Sequence, residues 1–145
     1  MNLLSMHFGK IELQMSVGVD IKDITGQLNS VIKESGIIDG NLSATVTGST
    51  GSITTIEYEP GVVEDLKTAI NKLAPPGQEY EHEKAWHDGN GHSHVQAALL
   101  GPSVSVPIRE GRLVLGTWQQ VVAINHDNHS RKRVVEITII GKLES

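Results

Sequence analysis

The chain has no cysteine, which removes disulfides, thiolate metal sites and thiol nucleophiles together. Aromatics are scarce: two Trp, two Tyr and one Phe. Any core must therefore be built from Val, Ile and Leu. Basic charge is not in excess, since the net charge is −5 and the pI about 5.8. That argues against a general nucleic-acid binder, which needs a basic surface, and leaves a local anion site open. No apolar run reaches the ~20 residues that span a bilayer. The start, Met-Asn-Leu-Leu-Ser-Met-His, lacks the basic end and apolar length of a signal peptide. A cytoplasmic protein without membrane contact is expected. The length of 145 residues suits one domain, 1–145.

Histidine is what the chain concentrates. His82, His87, His92 and His94, four of its seven, fall within residues 80–94, with Tyr80, Trp86, Asp88 and Asn90 among them. Asp88-Gly89-Asn90-Gly91 is turn chemistry, because Gly and Asn tolerate φ > 0 and Asx side chains bond nearby amides. The segment therefore reads as a polar loop. An extended chain would put His92 and His94 on one face. A helix would set them roughly 200° apart, leaving one of the pair as a ligand. Two readings stand for the stretch. In one, the histidines are solvated and idle. In the other, His82, Asp88, His92 and His94 converge on a divalent metal or do acid–base work. No zinc motif of fixed spacing is matched.

Periodicity supplies the frame. Ile11, Leu13 and Met15 alternate with polar residues in a strand over Lys10–Ser16. Asp23 reads as the N-cap of a helix over 24–35, stopped by Gly36. Leu42, Ala44 and Val46 mark a second strand, and Ser52–Tyr58 a third that delivers Glu57. Between them, Gly48-Ser49-Thr50-Gly51 reads as a β-turn or as an amide cradle for phosphate. It is no Walker motif, because no Gly-Lys follows. Pro60 opens a second amphipathic helix carrying Val62, Val63, Leu66, Ala69, Ile70 and Leu73. Val95–Leu100 reads as a short helix. Strands follow at Val104–Val106, Leu113–Leu115, Val121–Ile124 and Val134–Ile140. This order predicts an α+β fold with a mainly antiparallel, two-layer β arrangement and two main helices.

An ordered set of residues resembles the YjbQ family, often described as secondary thiamine-phosphate synthases. It comprises Glu57, Asp65-Leu66, Pro75, Tyr80-x-His82 and Asp88-x-Asn90-x-His92-x-His94. Leu100-Gly101, Val106-Pro107, Gly111, Gly116-Thr117-Trp118-Gln119, Asp127, Arg131, Arg133 and Gly141 continue it. The resemblance implies a homotrimer with a polar pocket near subunit boundaries. It implies chemistry that joins an aminopyrimidine-methyl diphosphate to a thiazole phosphate. The expected catalytic residues are then Glu57, His82, Asp88 and His94. Ser49, Thr50, Asn90, Thr117, Trp118, Gln119, Arg131 and Arg133 are expected to bind a small phosphorylated substrate. Glu57 and Asp88 suit Mg²⁺, while the histidines suit Zn²⁺. A non-catalytic trimeric binding protein and a metal-dependent hydrolase are the alternatives. One departure matters: where the family carries a histidine ahead of its hydroxyls, this chain has Gly48. Restoring it by Gly48→His is expected to raise synthase turnover. His7, His87 and His129 are expected to stand apart from the site, and His126 is left unassigned.

Overall fold

The computed structural model describes residues 3–144. In chain order the elements are β1 (Leu4–Met15), β2 (Asp20–Asp23), α1 (Thr25–Ser35), β3 (Ile37–Val46), β4 (Gly51–Ile56) and α2 (Pro60–Leu73). α3 (Glu81–Trp86), α4 (Gly91–Leu100), β5 (Ser103–Arg109), β6 (Arg112–Leu113), β7 (Gln120–Asn125) and β8 (Arg131–Leu143) follow. No helix among them is long and apolar enough to cross a membrane.

The strands form two antiparallel sheets, one ordered β1-β8-β3-β5-β6 and one ordered β2-β7-β4. β8 alternates strictly, with Arg133, Val135, Ile137 and Ile139 buried. These aliphatics meet Ile11, Leu13 and Met15 of β1, Leu42, Ala44 and Val46 of β3, and Leu28, Val31 and Ile32 of α1 in the main core. β7 is buried on both faces, which a strand achieves only with a near-continuous apolar run. Val121 and Ala123 join the main core. Val122 and Ile124 pack with Ile21, Ile70, Val63, Leu66 and Leu100 in a second cluster that holds α2 and α4 against the small sheet.

Several expectations shift. β1 begins earlier than Lys10, and β2 was not foreseen, because Asp-Ile-Lys-Asp offers a single apolar residue. The N-cap position of α1 falls on Ile24, one residue past the expected Asp23. Asp23 Oδ1 instead accepts from the Thr25 amide at 2.9 Å. α2 starts at Pro60 as expected, and Glu59 caps it, accepting from the Gly61 and Val62 amides at 2.8 and 2.9 Å. The largest correction concerns residues 80–94. They are not a loop but a short helix, a turn and the first residues of a ten-residue helix.

Candidate metal and anion site

Glu83 builds the corner. Its carboxylate accepts from the Gly89 amide at 2.7 Å and the Gly91 amide at 2.8 Å. One α3 side chain thus holds the turn and satisfies the first free N–H of α4, which has no side-chain cap of its own. Gly91 must lack a side chain, since a Cβ there would lie 2.5 Å from Tyr80 Cβ. Tyr80 is itself fixed by donating to the Pro75 carbonyl at 2.7 Å.

This corner brings His82 of α3, Asp88 of the turn and His94 of α4 together. His82 Nε2 lies 3.0 Å from Asp88 Oδ1. The His82 and His94 ring centroids are 4.7 Å apart. One ligand atom from each of the three lies within 4.8 Å of the other two. The Asp88 carboxyl is held below its usual range, first by the Asn90 amide and then by His82. Because α4 is helical, His92 projects elsewhere. Its Nε2 is 3.3 Å from Ser93 Oγ, and burial lowers its pKa against the raising influence of Glu83 and Asp127.

A cleft of about 440 Å³ opens beside His94 and Asp88, lined also by Gly48, Ser49, Thr50, Asn90, Asp127, Arg131 and Arg133. Asp127 organises its wall. Its buried carboxylate accepts from Thr50 Oγ1 at 2.9 Å, Asn90 Nδ2 at 3.1 Å, the His129 amide at 2.9 Å and Arg131 Nε at 3.0 Å. Burial alone would raise its pKa; these donors outweigh burial and hold it well below the carboxylate range. Asn90 Oδ1 accepts from Ser93 Oγ and the Asn128 amide, so the 88–91 turn is tied to the 126–130 turn. Arg133 is buried and donates to Asn125 Oδ1 and Thr50 Oγ1. Burial lowers its pKa, and Asp127 partly opposes that.

Of the expected site residues, Ser49, Thr50, Asp88, Asn90, His94, Arg131 and Arg133 share this cleft, with His82 at its edge. The others are elsewhere. Glu57 is exposed beyond Ile56, the end of β4 opposite Gly51, roughly 20 Å of strand from Thr50. Thr117, Trp118 and Gln119 precede β7 at that same far end, and Trp118 is 74% exposed. Gln119 accepts from the Gly116 amide at 3.0 Å and lines a separate depression of about 700 Å³ beside α1. His87 caps α3 in the left-handed region at φ 52°. His129 was expected to stand apart, yet its amide and, at 3.4 Å, its Nδ1 approach Asp127. Gly48 cannot readily carry the histidine imagined for it. Its φ is +112°, and a Cβ would lie 2.8 Å from Arg133 Nη1.

Glu83 was not singled out from sequence, Asp127 entered only as part of the resemblance with no role given, and His126 was left unassigned. Asp127 sits two residues beyond a continuous apolar strand and shortly before two arginines, a signal that a buried carboxylate closes that strand. His126 is 1% exposed, with Ser52 Oγ at 2.7 Å from Nε2 and Gln96 Oε1 at 3.0 Å from Nδ1.

Two packed antiparallel sheets, with α1 in the main core, α2 and α4 on the smaller sheet and a polar cleft at that sheet's end, define an α+β protein with a candidate ligand site. Residues 9–142 match the family described as UPF0047 protein YjbQ-like, and the chain belongs to that family. A UPF0047 protein of Archaeoglobus fulgidus is 33% identical over 126 residues, covering 87% of this chain and 96% of the relative. One from Methanothermobacter thermautotrophicus is 31% identical, covering 96% and 95%. The crystal structure of a YbjQ-like protein of unknown function from Sulfolobus solfataricus superposes with a TM-score of 0.91 at 32% identity, covering 96% of this chain and 99% of that one. A hypothetical protein from Aeropyrum pernix gives 0.87 at 29% identity, covering 93% and 98%.

Proposed function

We propose that this chain is a divalent-metal-dependent protein that binds and acts on a phosphorylated small molecule. The observation that carries the reading is the meeting of His82, Asp88 and His94 beside the Arg131 and Arg133 side of one cleft. Two imidazoles and one carboxylate suit a borderline ion such as zinc with open positions. They suit Mg²⁺ less, because that ion prefers oxygen, Glu57 is remote, and Asp127 already accepts several hydrogen bonds. A bound ion would supply Lewis-acid polarisation of a phosphoryl oxygen or an activated water. The chain's own residues do the rest. Arg131 and Arg133 offset phosphoryl charge, Ser49 donates from the 48–50 turn, and Asp127 fixes Thr50 and Arg131.

Metal analysis of the purified protein tests this. We expect about one zinc-class ion per chain, lost in His94→Ala and in Asp88→Asn. Metal-free protein that gains none on titration would sink the reading. A second reading is the thiamine-phosphate synthase chemistry implied by the resemblance, favoured by the arginines, which suit a departing diphosphate. Against it, Trp118 is too far along β7 to stack on a heterocycle in the same chain's cleft. A coupled synthase assay, run beside a phosphate-ester hydrolysis assay, separates transfer from hydrolysis. Binding without turnover in either would point to a non-catalytic carrier.

A further inference from the structure

We infer that the cleft contains an oxyanion pocket that works without metal, centred on Arg133 Nη1 and uncovered by the missing side chain of Gly48. It takes inorganic phosphate or the terminal phosphoryl group of the ligand. The inference rests on the phosphorylated-ligand reading above and specifies which atoms would hold that group.

Arg133 is 6% exposed, and its Nε and Nη2 are committed. Nε donates to Asn125 Oδ1 at 3.2 Å, and Nη2 donates to Asn125 Oδ1 at 2.6 Å and Thr50 Oγ1 at 2.5 Å. Both partners are neutral. Among the described residues, no carboxylate pairs with Arg133 directly, and no acceptor in the chain engages Nη1. Asp127 is reached only through Thr50, whose hydroxyl accepts from Arg133 and donates to Asp127 Oδ2 at 2.9 Å. Asp127 is already paired with Arg131 at 3.0 Å. Two guanidiniums therefore share Asp127, while Asp88, the other carboxylate of the cleft, is engaged by His82 and the Asn90 amide rather than by either arginine. Lys132 does not change this, because Glu12 pairs with it at 3.0 Å. The guanidinium is buried except where Nη1 opens on the cleft, so that donor edge meets water until an anion displaces it.

Gly48 and Gly51 flank the guanidinium. A Cβ at Gly51 would sit 3.3 Å from Arg133 Nε, and one at Gly48 would sit 2.8 Å from Nη1. Any side chain at residue 48 would therefore stand against the one free donor edge. Gly48 and Arg133 both line the cleft, so the opening faces the ligand space. Among the described residues, the amides of Gly48, Ser49 and Thr50 have no acceptor within the chain. Consecutive free N–H groups beside an arginine are the donor set that a tetrahedral oxyanion accepts from.

The test uses full-length protein stripped with EDTA, titrated calorimetrically with inorganic phosphate and with pyrophosphate, with ³¹P NMR as a second readout. Wild type should bind in EDTA. Gly48→Ala should weaken binding at least tenfold while taking up zinc as wild type does, which shows that its fold and its histidine corner are intact. Gly48→Ala carries the test because removing the guanidinium would strand Asn125 and Thr50. Phosphate binding that requires added zinc, or that Gly48→Ala leaves unchanged, overturns the inference. Zinc uptake without phosphate binding in EDTA overturns it and leaves the metal reading standing. Phosphate binding without zinc uptake supports it and removes the metal instead.

Discussion

His126 lies buried in a relay whose directions are fixed. Gln96 Nε2 donates to the Ala74 carbonyl at 3.0 Å, so its Oε1 must accept from His126 Nδ1–H. Nε2 is then an acceptor, and Ser52 donates to it. Burial, then the charges of Arg133 and His92, pull the His126 pKa down to about 4. The unfolded chain takes up its proton near the ordinary value of about 6.5. This contribution to stability is therefore intact above about pH 6.5 and is lost as pH falls toward 4, levelling off below. The loss amounts to about 3 kcal/mol. Urea unfolding between pH 7 and 4 checks it: wild type should lose stability over that window more steeply than His126→Phe. That variant should itself cost about 2–4 kcal/mol at pH 7, because Ser52 and Gln96 lose their partners. Equal pH slopes in the two proteins would show that His126 is not the titrating group. The restored histidine at Gly48 points the other way from its sequence expectation. With φ at +112° and Arg133 Nη1 in the way, Gly48→His should lower anion affinity and stability rather than raise turnover. The sequence could place a glycine where the resemblance implies a histidine, but not the positive φ that such a side chain would have to adopt there.

The α3–turn–α4 unit shows what patterning reveals about an element and what it hides. β8, β3, α1 and α2 were legible because their apolar residues repeat at strand or helix spacing over long stretches. Residues 80–94 read as a loop because histidine, glycine and asparagine are indifferent or poor helix formers. Their helices are held by side-chain ties rather than by propensity: the Glu83 clamp within the segment and the bonds from Asn90 to Asp127 and Asn128 outside it. That outcome decides between the two geometries open to His92 and His94, since a helix keeps only His94 beside His82. The clamp gives a prediction at this scale. Glu83→Ala frees the Gly89 and Gly91 amides without touching a ligand atom. Zinc affinity should fall about 10- to 100-fold, as losses of supporting groups around metal sites typically do. Isothermal titration would check it, with Glu83→Gln expected to recover part of the loss through its remaining amide oxygen. Affinity unchanged in Glu83→Ala would mean that the corner holds itself.

Across the whole molecule, the placement of sites at sheet ends is what a one-dimensional reading could not supply. Glu57 and Trp118 looked like partners of the histidines, yet the small sheet carries them to one end and Thr50 and Asp127 to the other, where Arg133 of the large sheet meets them. The outer face of the large sheet adds a second feature. Leu4, Met6 and Phe8 of β1 are 74, 59 and 70% exposed, and Ile140, opposite Met6 in the register, is 43% exposed. The same face continues across the sheet through Thr138, Ser43 and Ser105, which carry no charge. Charge bounds it at both ends, with Lys142 opposite Leu4, and Lys10, opposite Glu136, leading to the Glu12–Lys132 ion pair beyond Phe8. An exposed face of this kind is unusual for a chain that stays monomeric. We propose that it is covered by further copies of the chain, in keeping with the trimer that the resemblance implies. Light scattering at micromolar concentration should give a trimer mass. Phe8→Glu and Met6→Glu together should shift it toward monomer, because each buries a charge without a partner. They should leave zinc uptake intact, since His82, Asp88 and His94 come from one chain. A wild-type monomer mass would remove the assembly. A trimer unmoved by the double variant would keep the assembly and place its contacts on another surface.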